Sequence, residues 1–196
     1  WNTINVTNMS YMFYCARNFN QPLNWNTENV TDMQGMFYYA KSFNQPLNNW
    51  DVSNVKIMSS MFSNANSFNQ PLNWNTENVT DMSYMFYNAI NFNQPLNNWN
   101  VSNVKIMSSM FSNANSFNQP LNWNTENVTD MSYMFYNAIN FNQPLNNWNV
   151  SNVKIMSSMF AGAKNFNQPL NTWNVSNVEH MSSMFCNAKN FNQLLN

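Results

Sequence analysis

Residues Trp50–Asn73 read WDVSNVKIMSSMFSNANSFNQPLN, and this stretch decides the fold because the whole chain repeats it. Tryptophan recurs at Trp1, Trp25, Trp50, Trp74, Trp99, Trp123, Trp148 and Trp173, which divides 196 residues into eight units with nothing left over. The units are 1–24, 25–49, 50–73, 74–98, 99–122, 123–147, 148–172 and 173–196. A period of this length marks units that cannot bury their apolar face alone and stack on their neighbours, so the expectation is one continuous solenoid domain of eight rungs. Neither terminal unit is polar enough to cap such a stack. The chain is therefore expected to be a segment of a longer array or a protomer that stacks end to end.

Within the unit, apolar residues fall at Trp50, Val52, Val55, Met58, Met61, Phe62, Ala65, Phe68 and Leu72. The opening Leu47-x-x-Trp50-x-Val52 has the alternation of a short strand. Met58, Met61, Phe62 and Ala65 follow the i, i+3, i+4, i+7 spacing of one helix face. An α/β repeat is predicted, with one short strand and one short helix per 24- or 25-residue unit. Thr31-Asp32, Thr80-Asp81 and Thr129-Asp130 stand where N-caps of those helices would fall. In the other units Lys56, Lys105 and Lys154 occupy that place, and Lys56 is expected to lie one rung from Asp81 and to pair with it weakly.

Phe-Asn-Gln-Pro-Leu closes seven units, and proline there implies a bend that needs no amide donor. Only Gly35 and Gly162 occur, so asparagine, present 47 times, must supply most of the left-handed or side-chain-bonded turns. Two kinds of unit alternate. Residues 52–111 are identical to 101–160, so any function is distributed along the array rather than confined to one unit.

The pattern W-x-V-S-N-V-x-x-M-S-x-M-F-x-x-A-x-x-F-N-Q-P-L-N resembles the repeat of BspA-type leucine-rich-repeat-like surface proteins, and the likeness covers the entire chain. That resemblance implies a leucine-rich-repeat-like fold, a cell-surface or extracellular location, and roles in adhesion or host interaction. One departure stands out: the asparagine of an ordinary leucine-rich repeat would fall at Val55, one place after Asn54.

Charged residues make up 8% of the chain and the net charge is −1, so phosphate neutralisation, the main term in nucleic-acid binding, is missing. No apolar run is long enough to span a bilayer. Cys15 and Cys186 lie in the first and last units, roughly 34 Å apart at strand spacing, and each is expected to be a small residue beside the core. His180 is the only histidine and reads as a solvent-facing variant. Glu28, Glu77 and Glu126 recur two rungs apart, too far for a carboxylate dyad. No phosphate loop, metal-spaced Cys/His cluster or nucleophile elbow occurs. The chain is expected to be no enzyme and to need no cofactor or metal. Eight N-x-S/T sequons, at Asn5, Asn8, Asn29, Asn78, Asn100, Asn127, Asn149 and Asn174, follow largely from asparagine content.

The methionine, phenylalanine and tryptophan files read as core. Tyrosines are the candidate contact surface: Tyr11, Tyr14, Tyr38, Tyr39, Tyr84, Tyr87, Tyr133 and Tyr136 lie away from the apolar stripe, and rows of amphipathic rings suit contact with proteins or sugars. Two functions are expected from different classes. One is a surface protein presenting an extended face for adhesion to a protein or glycan ligand. The other is a structural protein that joins itself, end to end or through lateral tyrosine rows, into a filament.

Overall fold

A computed structural model describes residues 1–195; the last unit, 173–196, ends on Asn196, which lies outside the described residues. Met58 shows how the backbone is satisfied. Its N–H donates to the Asp81 carbonyl of the next rung at 3.0 Å, and Ser60, Phe62 and Asn64 donate likewise to Ser83, Met85 and Tyr87. The intervening amides turn back within the rung: Met61 bonds the Met58 carbonyl, Ser63 that of Ser60, and Ala65 that of Phe62. Alternate amides thus serve two purposes, one tying rung to rung and the other closing successive turns.

Such a path requires left-handed residues at fixed places. Ser60 has φ +59° and Asn64 has φ +59°, each at the third position of a turn closed by an i to i+3 bond. The same two columns recur in every rung. One runs Tyr11, Gly35, Ser60, Tyr84, Ser109, Tyr133, Ser158, Ser183, and the other runs Cys15, Tyr39, Asn64, Asn88, Asn113, Asn137, Gly162, Asn187, all with positive φ. Both glycines of the chain fall in these columns.

The expectation of an α/β, leucine-rich-repeat-like solenoid with a strand and a helix in each unit is corrected by this geometry. No helix forms among the described residues, and extended pairing is confined to seven isolated parallel bridges, from Asn8–Asp32 to Ile155–His180. A left-handed residue every fourth position breaks the helical ladder, and the amides that would bond four residues back bond the neighbouring rung instead. The opening segment is no strand either, because the Trp50 N–H turns back onto the Leu47 carbonyl at 3.1 Å. The Thr-Asp pairs cap no helix: Asp81 Oδ1 accepts the Ser83 N–H at 2.8 Å in a side-chain-closed turn, and Thr80 Oγ1 donates to the Lys56 carbonyl of the rung below at 3.3 Å.

The core nevertheless contains the nine apolar residues of the unit. From Trp50 to Leu72 all nine are buried, none more than 4% exposed. Phe62 and Phe68 stack face to face at 4.0 Å within the rung, and Phe62 stacks on Phe86 of the next at 5.7 Å. Trp74 and Trp99 stack at 6.2 Å with ring planes 9° apart, and the six tryptophans from Trp50 to Trp173 each donate the indole N–H to a leucine carbonyl 27 or 28 residues earlier, as Trp74 does to Leu47 at 3.1 Å. Apolar burial supplies the driving force, about 1.5–3 kcal/mol for each fully buried large side chain. Stacked identical rings hold neighbouring rungs in register.

Two asparagine ladders fix the rung edges. Asn44 Oδ1 accepts both the Asn69 N–H at 2.9 Å and the Gln70 side-chain amide at 3.2 Å, and the pattern continues to Asn192 and Gln193 on Asn167. This ladder explains Phe-Asn-Gln-Pro-Leu: the phenylalanine goes inward, and the two amides stitch the corner before proline bends the chain. In the second ladder Asn54 donates its side-chain amide to the Glu28 carbonyl at 2.7 Å, and Asn78 to that of Ser53 at 2.7 Å.

Candidate functional site

Four of the eight tyrosines, Tyr11, Tyr39, Tyr84 and Tyr133, reach the surface through the left-handed columns rather than through a helix face. Tyr84 and Tyr133, at φ +57° and +56°, are each 45% exposed. Tyr87 and Tyr136, three residues on, are half-buried beside them, with ring centroids 5.8 Å apart in the first pair and 5.7 Å in the second. The rungs between carry Ser60, Ser109 and their neighbours at the equivalent places, so tall and short residues alternate along the stack.

This alternation produces troughs. One, of about 420 Å³, lies over the third rung, floored by Ser60, Ser63 and Asn64 and walled by Tyr38 and Tyr39 on one side and Tyr84 and Tyr87 on the other. A second, of about 300 Å³, lies over the fifth rung, floored by Ser109, Ser112 and Asn113 and walled by Tyr84 and Tyr87 and by Tyr133 and Tyr136. The wall between them is shared. Asn64 accepts the Asn88 side-chain amide at 2.7 Å and donates its own to Ser63 Oγ at 3.1 Å, which holds the floor rigid. No ionised side chain lines either trough; Lys41 Nζ stands 6.0 Å from the Tyr39 ring centroid.

The first rungs depart from this pattern. The Tyr11 ring lies where a Cβ on Gly35 would fall, so any side chain there would make that exposed ring shift, while the positive φ itself is one that serine and tyrosine hold elsewhere in the column. Tyr14 stacks on Tyr38 at 5.3 Å and makes an edge contact with Tyr11 at 6.0 Å. The Cys15 side chain, hydrogen-bonded to Tyr14, raises the Tyr14 phenol pKa above its ordinary value, and desolvation raises that of Tyr38. The structure therefore brings Tyr38, Tyr39, Tyr84, Tyr87, Tyr133 and Tyr136 into two troughs, and leaves Tyr11 and Tyr14 outside them, with Tyr14 stacked against Tyr38 of the first wall.

Cys15 and Cys186 are free thiols and exposed, not tucked beside the core as expected. The ion pair found among the described residues is Lys154–Glu179 at 3.3 Å, both side chains about half exposed, rather than Lys56–Asp81. His180 is exposed and carries the last bridge. Asn29, Asn78 and Asn127, three of the sequon asparagines, donate their side-chain amides to carbonyls of the rung below, so a sugar on any of them would break the ladder. No group of three or more His, Cys, Asp and Glu gathers as a metal site among the described residues. Among the described residues no helix is long and apolar enough to cross a membrane. Apolar hollows lie beside Trp1, Phe13 and Trp25 in the first rungs and beside Trp173, Met181 and Leu195 in the last.

A stack of near-identical rungs joined by parallel backbone bonds defines a repeat protein. The family described as "Mycoplasma protein of unknown function, DUF285" matches residues 1–73, 72–122 and 121–196, and the chain belongs to that family. Neither a curated protein nor a solved structure matches it.

Proposed function

We propose that the chain is a non-catalytic recognition surface, displayed outside the cell, whose tyrosine-walled troughs hold a repetitive ligand. The observation that carries this reading is the recurrence of a tyrosine-walled trough over Ser60, Ser63 and Asn64 and again, 49 residues on, over Ser109, Ser112 and Asn113, although the outer wall of the first is Tyr38 and Tyr39 rather than a copy of Tyr84 and Tyr87. Weak contacts repeated on a rigid support gain through avidity what each lacks alone. Tyrosine supplies broad contact area at small entropic cost, together with a phenol hydroxyl that can bond a ligand. The resemblance of the repeat to BspA-type surface proteins supports the extracellular setting and the adhesive role.

The test compares the wild-type chain with a Tyr84→Ser/Tyr133→Ser double variant, both fluorescently labelled, on intact cells and on plates coated with extracellular matrix. Serine already occupies the same left-handed position at Ser60 and Ser109, at φ +59° and +57°, so the fold tolerates the exchange. Attachment by the wild type and its loss in the variant are expected. Equal attachment by both chains would refute the reading.

A further inference from the structure

We infer that the ligand of the troughs is an uncharged, extended polysaccharide with a two-sugar repeat, of the kind formed by β-1,4-linked hexoses or N-acetylhexosamines, lying along the stack axis. This rests on the troughs being the contact surface. Three observations select that class. The first is spacing: successive tyrosine walls are two rungs apart, about 10 Å at the interstrand distance, which is the length of one disaccharide in an extended 1,4-linked chain. Successive rings in such a chain are flipped, so the same edge returns every second sugar, as a tyrosine wall returns every second rung. An extended peptide brings the same face round every two residues, about 7 Å, and falls out of register after one trough.

The second observation is the lining. Tyr84 and Tyr133, exposed on the walls, offer aromatic carbon to the apolar C–H groups of a sugar and phenol hydroxyls to its hydroxyl and acetamido substituents, whereas Ser109 and Ser112 beneath them are buried. The third is charge. Neither trough is lined by an ionised side chain, so nothing in it would neutralise a uronate or sulfate. Lying across the wall crests, the chain sets every second sugar on a tyrosine wall, and the intervening sugar spans the trough between walls.

Calorimetric titration with chito-oligosaccharides, cello-oligosaccharides and malto-oligosaccharides of increasing length tests this. At least one of the two extended series should bind, and affinity should rise by about tenfold or more when the oligomer becomes long enough to span two troughs. The coiled malto-series should not bind. The Tyr84→Ser/Tyr133→Ser variant, checked for an unchanged unfolding curve, should lose that length-dependent gain. Silence from both extended series, equal binding by the malto-series, or a gain that survives the double exchange would each overturn the inference. If the double variant loses attachment to cells while neither extended series binds the wild type, the troughs remain the contact surface and the glycan assignment alone falls.

Discussion

Asn93 Oδ1 receives the backbone N–H of Asn118 at 3.0 Å, one rung away and 25 residues along the chain. The Gln119 side chain donates to the same oxygen at 3.1 Å, so one amide oxygen holds two groups of the next corner.

Asn93→Ala should therefore leave a corner amide without its acceptor, at a cost of about 1–3 kcal/mol. Asn93→Asp keeps an oxygen in place and should cost less at neutral pH. Urea unfolding of the two variants checks the order, and a cost for alanine no greater than for aspartate would contradict the ladder.

Phe86 stacks on Phe62, Phe92 and Phe111 at 5.7, 4.0 and 5.6 Å and is fully buried. Phe86→Ala should destabilise by about 3–5 kcal/mol, combining lost burial with a cavity that stacked rungs cannot close. A melting curve that does not move would contradict the core.

Asn187 is exposed and has φ +57°, which separates backbone conformation from packing. Asn187→Gly should be neutral or slightly stabilising. Asn187→Val should weaken the last rungs by about 1–2 kcal/mol, because a branched side chain crowds the left-handed backbone. Amide exchange of Ala188 and Phe191 reports the difference.

Asp51 Oδ1 accepts the Ser53 N–H at 2.9 Å, and hydrogen bonds from the Ser53 hydroxyl and amide hold its carboxyl below the ordinary value of 3.8. A carboxylate whose pKa is lowered on folding adds stability above its unfolded pKa, and that increment is lost as pH falls through the folded value. Asn100 and Asn149 make the equivalent turn uncharged, bonding Ser102 and Ser151 at 3.0 and 3.1 Å. Asp51→Asn should thus leave stability near neutrality almost unchanged and flatten its decline on acidification. Parallel acid titrations of the two proteins by circular dichroism show whether the slopes differ.

Much of this architecture was legible in the residues. Tryptophan spacing marked the rungs, and the pattern from Trp50 to Leu72 identified every buried apolar position of the unit but not the buried Ser59, Ser63 and Asn64, because one-sided burial imposes an apolar pattern whatever the backbone does. The same pattern misled on local structure: Met58, Met61, Phe62 and Ala65 suit a helix face and equally suit alternating turns that return to one side. The discriminating signal was the placement of Gly35 and Gly162, one in each left-handed column, with asparagine filling most of the second. For the candidate site, the tyrosine rows were visible as outward residues. The troughs were not, since they arise from tyrosine on one rung facing tyrosine two rungs away across serine, a relation that exists only once the register is known.

The hydrogen bond donated by Phe86 tests the fold most directly. Its N–H lies 2.9 Å from the Met110 carbonyl of the next rung, whereas a helix would direct it to Met82. Nuclear magnetic resonance detection of scalar coupling across the bond, in protein labelled at the phenylalanine amides and methionine carbonyls, reads the partner. Coupling of Phe86 to Met110 is expected; coupling to Met82 would contradict a core built from stacked turns.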